Sequence, residues 1–160
     1  MSNPQSFDYH FDVSAPLAAV AAFQHDARAL PRLTPPPIRV QLHRVDPLRE
    51  GAIADFTLWF GPLPVRWVAR HTGVDPLHGF TDTQQSGPLL LWRHTHRFEA
   101  LGAAATRVSE HIEYQHRPGW RGWLSRLLYN PLALSALFAY RCWATRRGVR
   151  AAQRLSLFNA

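Results

Sequence analysis

His94 and His96 stand two residues apart in Trp92-Arg93-His94-Thr95-His96-Arg97-Phe98, where ring side chains alternate with Arg and Thr. A strand sends alternate residues to opposite faces, so both imidazoles share a face with Trp92 and Phe98. Two flanking stretches add acids by the same alternation. Phe80, Asp82 and Gln84 alternate with Thr81, Thr83 and Gln85; Val108, Glu110, Ile112 and Tyr114 alternate with Arg107, Ser109, His111 and Glu113. His71 adds a third imidazole from an earlier stretch, Trp67 to His71. Burying such groups dry costs several kcal/mol per unpaired ion. Two arrangements are physically acceptable. Either Asp82 and Glu110 pair with His71, His94 and His96 in a closed network, or the groups line a wet cavity. An aromatic pocket with a few convergent polar groups is the usual form of a small-molecule site, and a polar-lined cavity is the expectation.

Three chemistries fit these residue types. Histidine titrates near neutrality and a carboxylate can set its tautomer, so His94 or His96 with Glu110 or Asp82 could act as a catalytic acid/base pair. The i, i+2 spacing also brings both rings within reach of one metal ion, with Glu110, Asp82 or His71 completing the shell. That pattern arises by chance in a chain with nine His, and neither a metal nor a cofactor is expected. The third chemistry is recognition of a ligand's polar head. Cys142 lies between Arg141 and Trp143 in a helical stretch and is expected to pack rather than react. As a lone cysteine it excludes an internal disulfide and a multi-cysteine zinc site.

The elements that position these residues follow from periodicity. Alternation predicts strands over Phe7–Val13, Ile38–Val45, Ala52–Phe60, Val65–Thr72, Phe80–Gln85, Leu90–Phe98 and Thr106–Tyr114. Turn residues separate them: Arg49-Glu50-Gly51, Gly61-Pro62, Gly73 to Gly79, Ser86-Gly87-Pro88 and Leu101-Gly102. Ser14 is placed to cap a first helix running through Leu17, Val20, Ala21 and Phe23, with Pro16 in its first turn. Asn130 is placed to cap a second, from Pro131 to about Leu157. Consecutive strands joined by short turns make an antiparallel sheet, and the terminal helix is the only large element able to cover its apolar face. An α+β fold follows, a curved sheet gripping a C-terminal helix. Its helix carries small residues, Ala133, Ala136, Ala139, Ala144, Gly148 and Ala151, which leave volume for a cavity.

The chain's 160 residues suffice for one domain, residues 1–160, burying roughly 70% of its unfolded surface. A hydrophobic fraction of 46% with 18% charged residues argues against disorder. No apolar run approaches the ~20 residues of a membrane span, and no apolar stretch follows a basic start, so a cytoplasmic location is expected. Charge is unevenly placed. Residues 1–116 hold 10 Arg against 11 acids, whereas 117–160 hold 8 Arg and no acid. Such asymmetry either forms a solvated helix face or meets an anionic partner. Arg147, Arg150 and Arg154 make one basic stripe. Trp120, Arg121, Trp123 and Arg126 mix indole rings with cations as a membrane interface or a cavity rim does, or as a connector packed on the sheet edge. Nucleic acid is not expected as a partner, since there are no Lys clusters and no stacking-platform signature.

The stretches RLTPPP (Arg32–Pro37), GPLPVRWVARH (Gly61–His71), FTDTQQSGPLLLWRHTHRFE (Phe80–Glu99), TRVSEHIEY (Thr106–Tyr114) and LFAYR (Leu137–Arg141) carry a resemblance. In order and spacing they resemble the START-like (SRPBCC) helix-grip superfamily of polyketide cyclases, lipid-transfer domains and birch-pollen-allergen-type proteins. The similarity is greatest to a bacterial cyclase/dehydrase-like branch, found alone or fused ahead of a sugar-nucleotide-epimerase-like domain. The resemblance implies a seven-stranded antiparallel sheet, two small helices after the first strand, and a cavity between sheet and C-terminal helix. It also implies a hydrophobic or amphipathic small-molecule ligand. Carriers, sensors, aromatase/cyclases and hydrolase-like enzymes share this fold, so the chemistry stays open.

The expected function is that of a binding protein, a carrier or sensor. Phe56, Phe60, Trp67, Trp92, Phe98 and Tyr114 would hold the ligand's body; His71, Asp82, Gln84, His94, His96 and Glu110 would orient its head. The alternative is a cyclase or dehydratase acting on a polyketide-like or lipid-like substrate, with His94 or His96 as acid/base oriented by Glu110 or Asp82. A lesser alternative is peripheral attachment to an anionic membrane through the Trp120–Arg126 segment.

Overall fold

The computed structural model describes residues 3–158. Seven strands form one antiparallel sheet: β1 (Gln5–Val13), β2 (Arg39–Val45), β3 (Ile53–Phe60), β4 (Leu63–Asp75), β5 (Gly79–Ser86), β6 (Leu91–Gly102) and β7 (Ala105–Gln115). Their order is β1-β7-β6-β5-β4-β3-β2. From β2 to β7 each strand pairs with its sequence neighbour, as short turns favour. β1 instead closes on β7, with Phe7 opposite Ile112 and Tyr9 opposite Glu110. The chain therefore crosses from one edge of the sheet to the other between β1 and β2. It does so through α1 (Leu17–His25), a 3-10 turn at Ala27–Ala29 and the proline segment.

The sheet's apolar face is covered by α3 (Pro131–Phe158). Leu134 and Phe138 of that helix are fully buried, and the Phe138 ring sits 5.6 Å from Phe7, 5.9 Å from Tyr9 and 5.5 Å from His94. Burial of one such phenyl contributes about 1.5–3 kcal/mol. This is the α+β helix-grip architecture that the alternation and the resemblance imply. No helix among the described residues is long and apolar enough to cross a membrane.

Asn130 caps α3 as expected, its Oδ1 accepting the Ala133 amide at 2.9 Å. Ser14 does not cap α1. The first turn hangs on the Pro16 carbonyl, which accepts the Ala19 and Val20 amides, and no side chain completes the cap. β4 runs further than expected and includes Pro64, opposite Trp59. Pairing with β5 extends only to Val68, so the missing amide of Pro64 falls beyond the ladder. A short helix, α2 (Trp123–Leu128), occupies what reads in sequence as a connector. Six residues are too few to print a helical period.

Two glycines fit contacts rather than turns. Gly79 has φ +132°, and a Cβ there would overlap the His96 carbonyl oxygen. Its bare backbone lets β5 close onto β6, where the Phe80 ring stacks 4.3 Å from His96. Gly148 of α3 takes the Phe23 ring of α1, which a Cβ would strike. The small residues of α3 therefore divide. Ala133 and Ala136 border an internal cavity, whereas Gly148 is filled by a neighbouring ring.

Candidate functional site

The site begins with register. On the inner face Asp82 of β5 stands opposite His94 of β6, and His96 stands opposite Glu110 of β7. Three adjacent strands thus bring two carboxylates and two imidazoles into one patch. Around the patch the contacts alternate. His94 Nε2–H donates to Glu110 Oε2 at 2.8 Å and His96 Nε2–H donates to Asp82 Oδ2 at 3.1 Å. The remaining nitrogens also face carboxylates: His94 Nδ1 lies 3.4 Å from Asp82 Oδ2, and His96 Nδ1 lies 2.8 Å from Glu110 Oε2. The last contact is short but off the N–H direction, so it is an ion pair without an aligned hydrogen bond. The two rings lie 3.9 Å apart.

Three of this ring of four are buried, with His94, His96 and Glu110 exposed by 2%, 7% and 4%, and Asp82 is partly buried. Burial alone would pull the His96 pKa down; the Glu110 charge and the Asp82 hydrogen bond outweigh it and push it up to about 9. Burial likewise opposes ionisation of Asp82, but the bonds from His94 and His96 hold its carboxyl well below the usual range. Glu110 is held low against its burial by the charge of His96 and the bond from His94. At neutral pH the ring contains two carboxylates and an imidazolium. His71 does not join it. Its Nδ1–H donates to the Ala52 carbonyl at 3.2 Å, and its ring meets Phe80 edge-on.

Beside the ring lies a cavity of about 510 Å³ between sheet, helices and the proline segment. Phe56, Phe60, Trp67 and Trp92 border it, as do His71, Asp82, His94, His96 and Glu110. Three residues expected there are absent from its wall. Gln84 is turned onto the β5–β6 turn, where its amide brackets the backbone of Leu89. Phe98 is packed with Val20, Val108 and Val149 in a separate apolar cluster. Tyr114, 1% exposed, is packed in one apolar cluster with Leu134 and Ile112. All three lie on the face that alternation assigned, but the cavity is shorter than the sheet.

Three bordering residues are ones that the sequence reading missed: His25, Tyr129 and Arg141. The Arg141 guanidinium lies 5.2 Å over the Phe138 ring, and its Nε has no partner. Burial pulls its pKa below the ordinary value against the more distant pull of Glu110, Asp82 and Tyr129. Tyr129, 6% exposed and wedged between Trp67 and Trp92, leaves its hydroxyl unbonded, and burial pushes its pKa up. His25 Nε2 is also unpartnered; burial, then the charge of His96, lowers its pKa. A signal for Arg141 existed. Leu134, Phe138, Arg141 and Thr145 recur at helical spacing, which puts Arg141 on the covered stripe rather than among the basic surplus.

Asp82, His94 and His96 also offer ligand atoms that all lie within 4.8 Å of one another. Two imidazoles and a carboxylate suit a divalent ion. In the observed arrangement the same atoms are engaged with each other.

The fold matches solved structures over nearly its whole length. The Zhui aromatase/cyclase from Streptomyces sp. R1128 superposes with a TM-score of 0.75 at 14% identity, covering 92% of this chain and 94% of that one. Norcoclaurine synthase from Thalictrum flavum, solved with dopamine and hydroxybenzaldehyde, gives 0.69 at 18% identity, covering 92% and 87%. Ara h 8.0201 gives 0.68 at 11%, covering 93% and 99%. The chain therefore has the START-like helix-grip fold. Identities this low establish the fold alone. No protein-family model matches the sequence, and no curated protein matches it.

Proposed function

We propose that the protein binds an amphipathic small molecule in the cavity between sheet and α3, as a carrier or sensor. One observation carries this reading. Among the described residues, four buried polar side-chain atoms lack an aligned hydrogen bond: His25 Nε2, His96 Nδ1, Tyr129 OH and Arg141 Nε. His96 Nδ1 is met by Glu110 at 2.8 Å; the other three belong to residues that border this one cavity. A finished core satisfies such groups, and leaving each bare costs about 1–3 kcal/mol. Their convergence on an aromatic hollow supports a polar head seated there with an apolar body among Phe56, Trp67 and Trp92. Solved proteins of this fold include ones named for a cyclase and a synthase. The ring is poorly set for general-base chemistry: burial is outweighed by Glu110 and Asp82, which keep His96 protonated, and both carboxylates face its nitrogens and those of His94. A general base needs a free lone pair near the working pH.

The test is native mass spectrometry of protein purified without denaturant, together with titration by the neutral dye N-phenyl-1-naphthylamine. The reading expects one dye per chain, displaced by amphipathic ligands and lost when Ala136→Trp narrows the cavity. Absence of dye binding by the folded protein contradicts it.

A second reading rests on exposure. Trp120 and Trp123 are 79% and 59% exposed, and Leu127 is both 61% exposed and part of the cavity wall. That continuity supports ligand exchange at a membrane surface through α2. Of the cations expected to assist, Arg126 donates to the Gly119 and Arg117 carbonyls, and the Arg121 side chain lies outside the described residues. Flotation with anionic vesicles tests it; binding unaffected by Trp120→Ala with Trp123→Ala counts against it.

A further inference from the structure

The polar groups at the cavity are of two kinds, and the leftovers identify the ligand's chemistry. Asp82 and Glu110 are the acceptors, and four imidazole nitrogens already face them. Among the other residues that border the cavity, the side-chain atoms without a hydrogen-bond partner are His25 Nε2, Tyr129 OH and Arg141 Nε, chiefly donors. Arg141 brings five N–H groups in a planar fork and Tyr129 adds a hydroxyl. The Arg141 Nε has no hydrogen-bond partner and the guanidinium lies on an apolar floor formed by Phe138; the charges of Glu110 and Asp82 reach it but do not offset its burial. A guanidinium in that position is costly unless an anion meets it. Tyr129 and Arg141 are near enough to influence each other electrostatically, so one head group can serve both.

We propose that the ligand is an apolar molecule ending in a carboxylate, held by Arg141 and Tyr129. This deepens the binding reading above and rests on it. A planar carboxylate matches the guanidinium fork with two parallel hydrogen bonds, which neither an alcohol nor an ester reproduces. The tail then lies against the indoles of Trp67 and Trp92, which flank Tyr129 at 5.7 Å each. The His–carboxylate ring is a wall of this site and exchanges no proton with the ligand.

The experiment displaces bound N-phenyl-1-naphthylamine with matched pairs: dodecanoate against 1-dodecanol, and 2-naphthoate against 2-naphthylmethanol. At neutral pH the carboxylate of at least one pair binds about tenfold or more tighter than its alcohol, the scale of a charge-assisted bidentate contact. Arg141→Gln brings that ratio to near unity; Arg141→Lys, which keeps charge without the fork, leaves an intermediate ratio. Tyr129→Phe lowers the ratio less than Arg141→Gln. Equal affinities for acid and alcohol in the unmodified protein overturn the proposal even if no variant folds. So does a carboxylate preference that survives Arg141→Gln. Either result leaves the cavity reading intact as long as the dye binds, whereas a protein that binds no dye overturns both.

Discussion

Two groups of polar side chains border the same cavity and differ in whether they are finished. Asp82, His94, His96 and Glu110 alternate acid and base around a closed circuit, and each acid is met by two imidazoles. Arg141, Tyr129 and His25 border the same space and each leaves an atom unpartnered. A charge that is paired within the fold contributes to structure; a charge left bare is tolerated where something else completes it. On the proposal made above, the first group holds β5, β6 and β7 together and the second recognises the ligand.

The largest effect should come from breaking the closed group. Glu110→Gln takes from His96, 7% exposed, the larger of its two carboxylate charges and leaves it Asp82 alone, and should cost about 3 kcal/mol of folding stability, read from urea denaturation. Arg141→Met should change stability by no more than about 1 kcal/mol, since it removes a desolvated charge that no hydrogen bond at Nε satisfies and keeps an apolar contact with Phe138. A costly Arg141→Met beside a harmless Glu110→Gln would reverse the assignment.

Next comes pH. The folded His96 pKa of about 9 lies above its ordinary 6.5, so its contribution is full below about 6.5 and is lost as pH rises through about 9. Asp82 and Glu110 are depressed from 3.8 and 4.5, so theirs is present above those values and lost as pH falls below them. Ring stabilisation is therefore greatest between about 4.5 and 6.5. The alkaline decline in the urea midpoint, worth of order 3 kcal/mol, should shrink in Glu110→Gln. An equal decline in that variant would place the titration elsewhere.

The smallest effect sets the scale. Arg107 and Asp12 form an ion pair at 2.8 Å with side chains 42% and 48% exposed. Arg107→Gln should leave the urea midpoint close to that of the unmodified protein, because solvent screens the pair. A cost approaching that of Glu110→Gln would show that burial is not what gives the ring its strength.

The sequence made the closed group legible and hid the open one, for a physical reason. A strand's period of two is unambiguous, so the shared face of Asp82, His94, His96 and Glu110 follows from spacing alone. Whether those groups pair or line a hollow depends on register between strands, which spacing within one strand does not contain; the structure has them do both. Arg141 was counted into the basic surplus because a helix period of 3.6 gives a broad stripe whose margins read either way. Tyr129 ends a six-residue helix too short to carry a period. Gln84, Phe98 and Tyr114 show the converse limit, since the right face does not establish contact with a cavity that spans only part of it.

The division between a closed ring and an open donor pair is tested most directly by ¹H–¹⁵N spectra of the histidine and arginine side chains at neutral pH, with and without dodecanoate. The account predicts that His96 keeps both nitrogens protonated throughout, while the Arg141 Nε–H signal moves as the ligand binds. A His96 that loses its proton on binding, with the Arg141 signal unmoved, would contradict it.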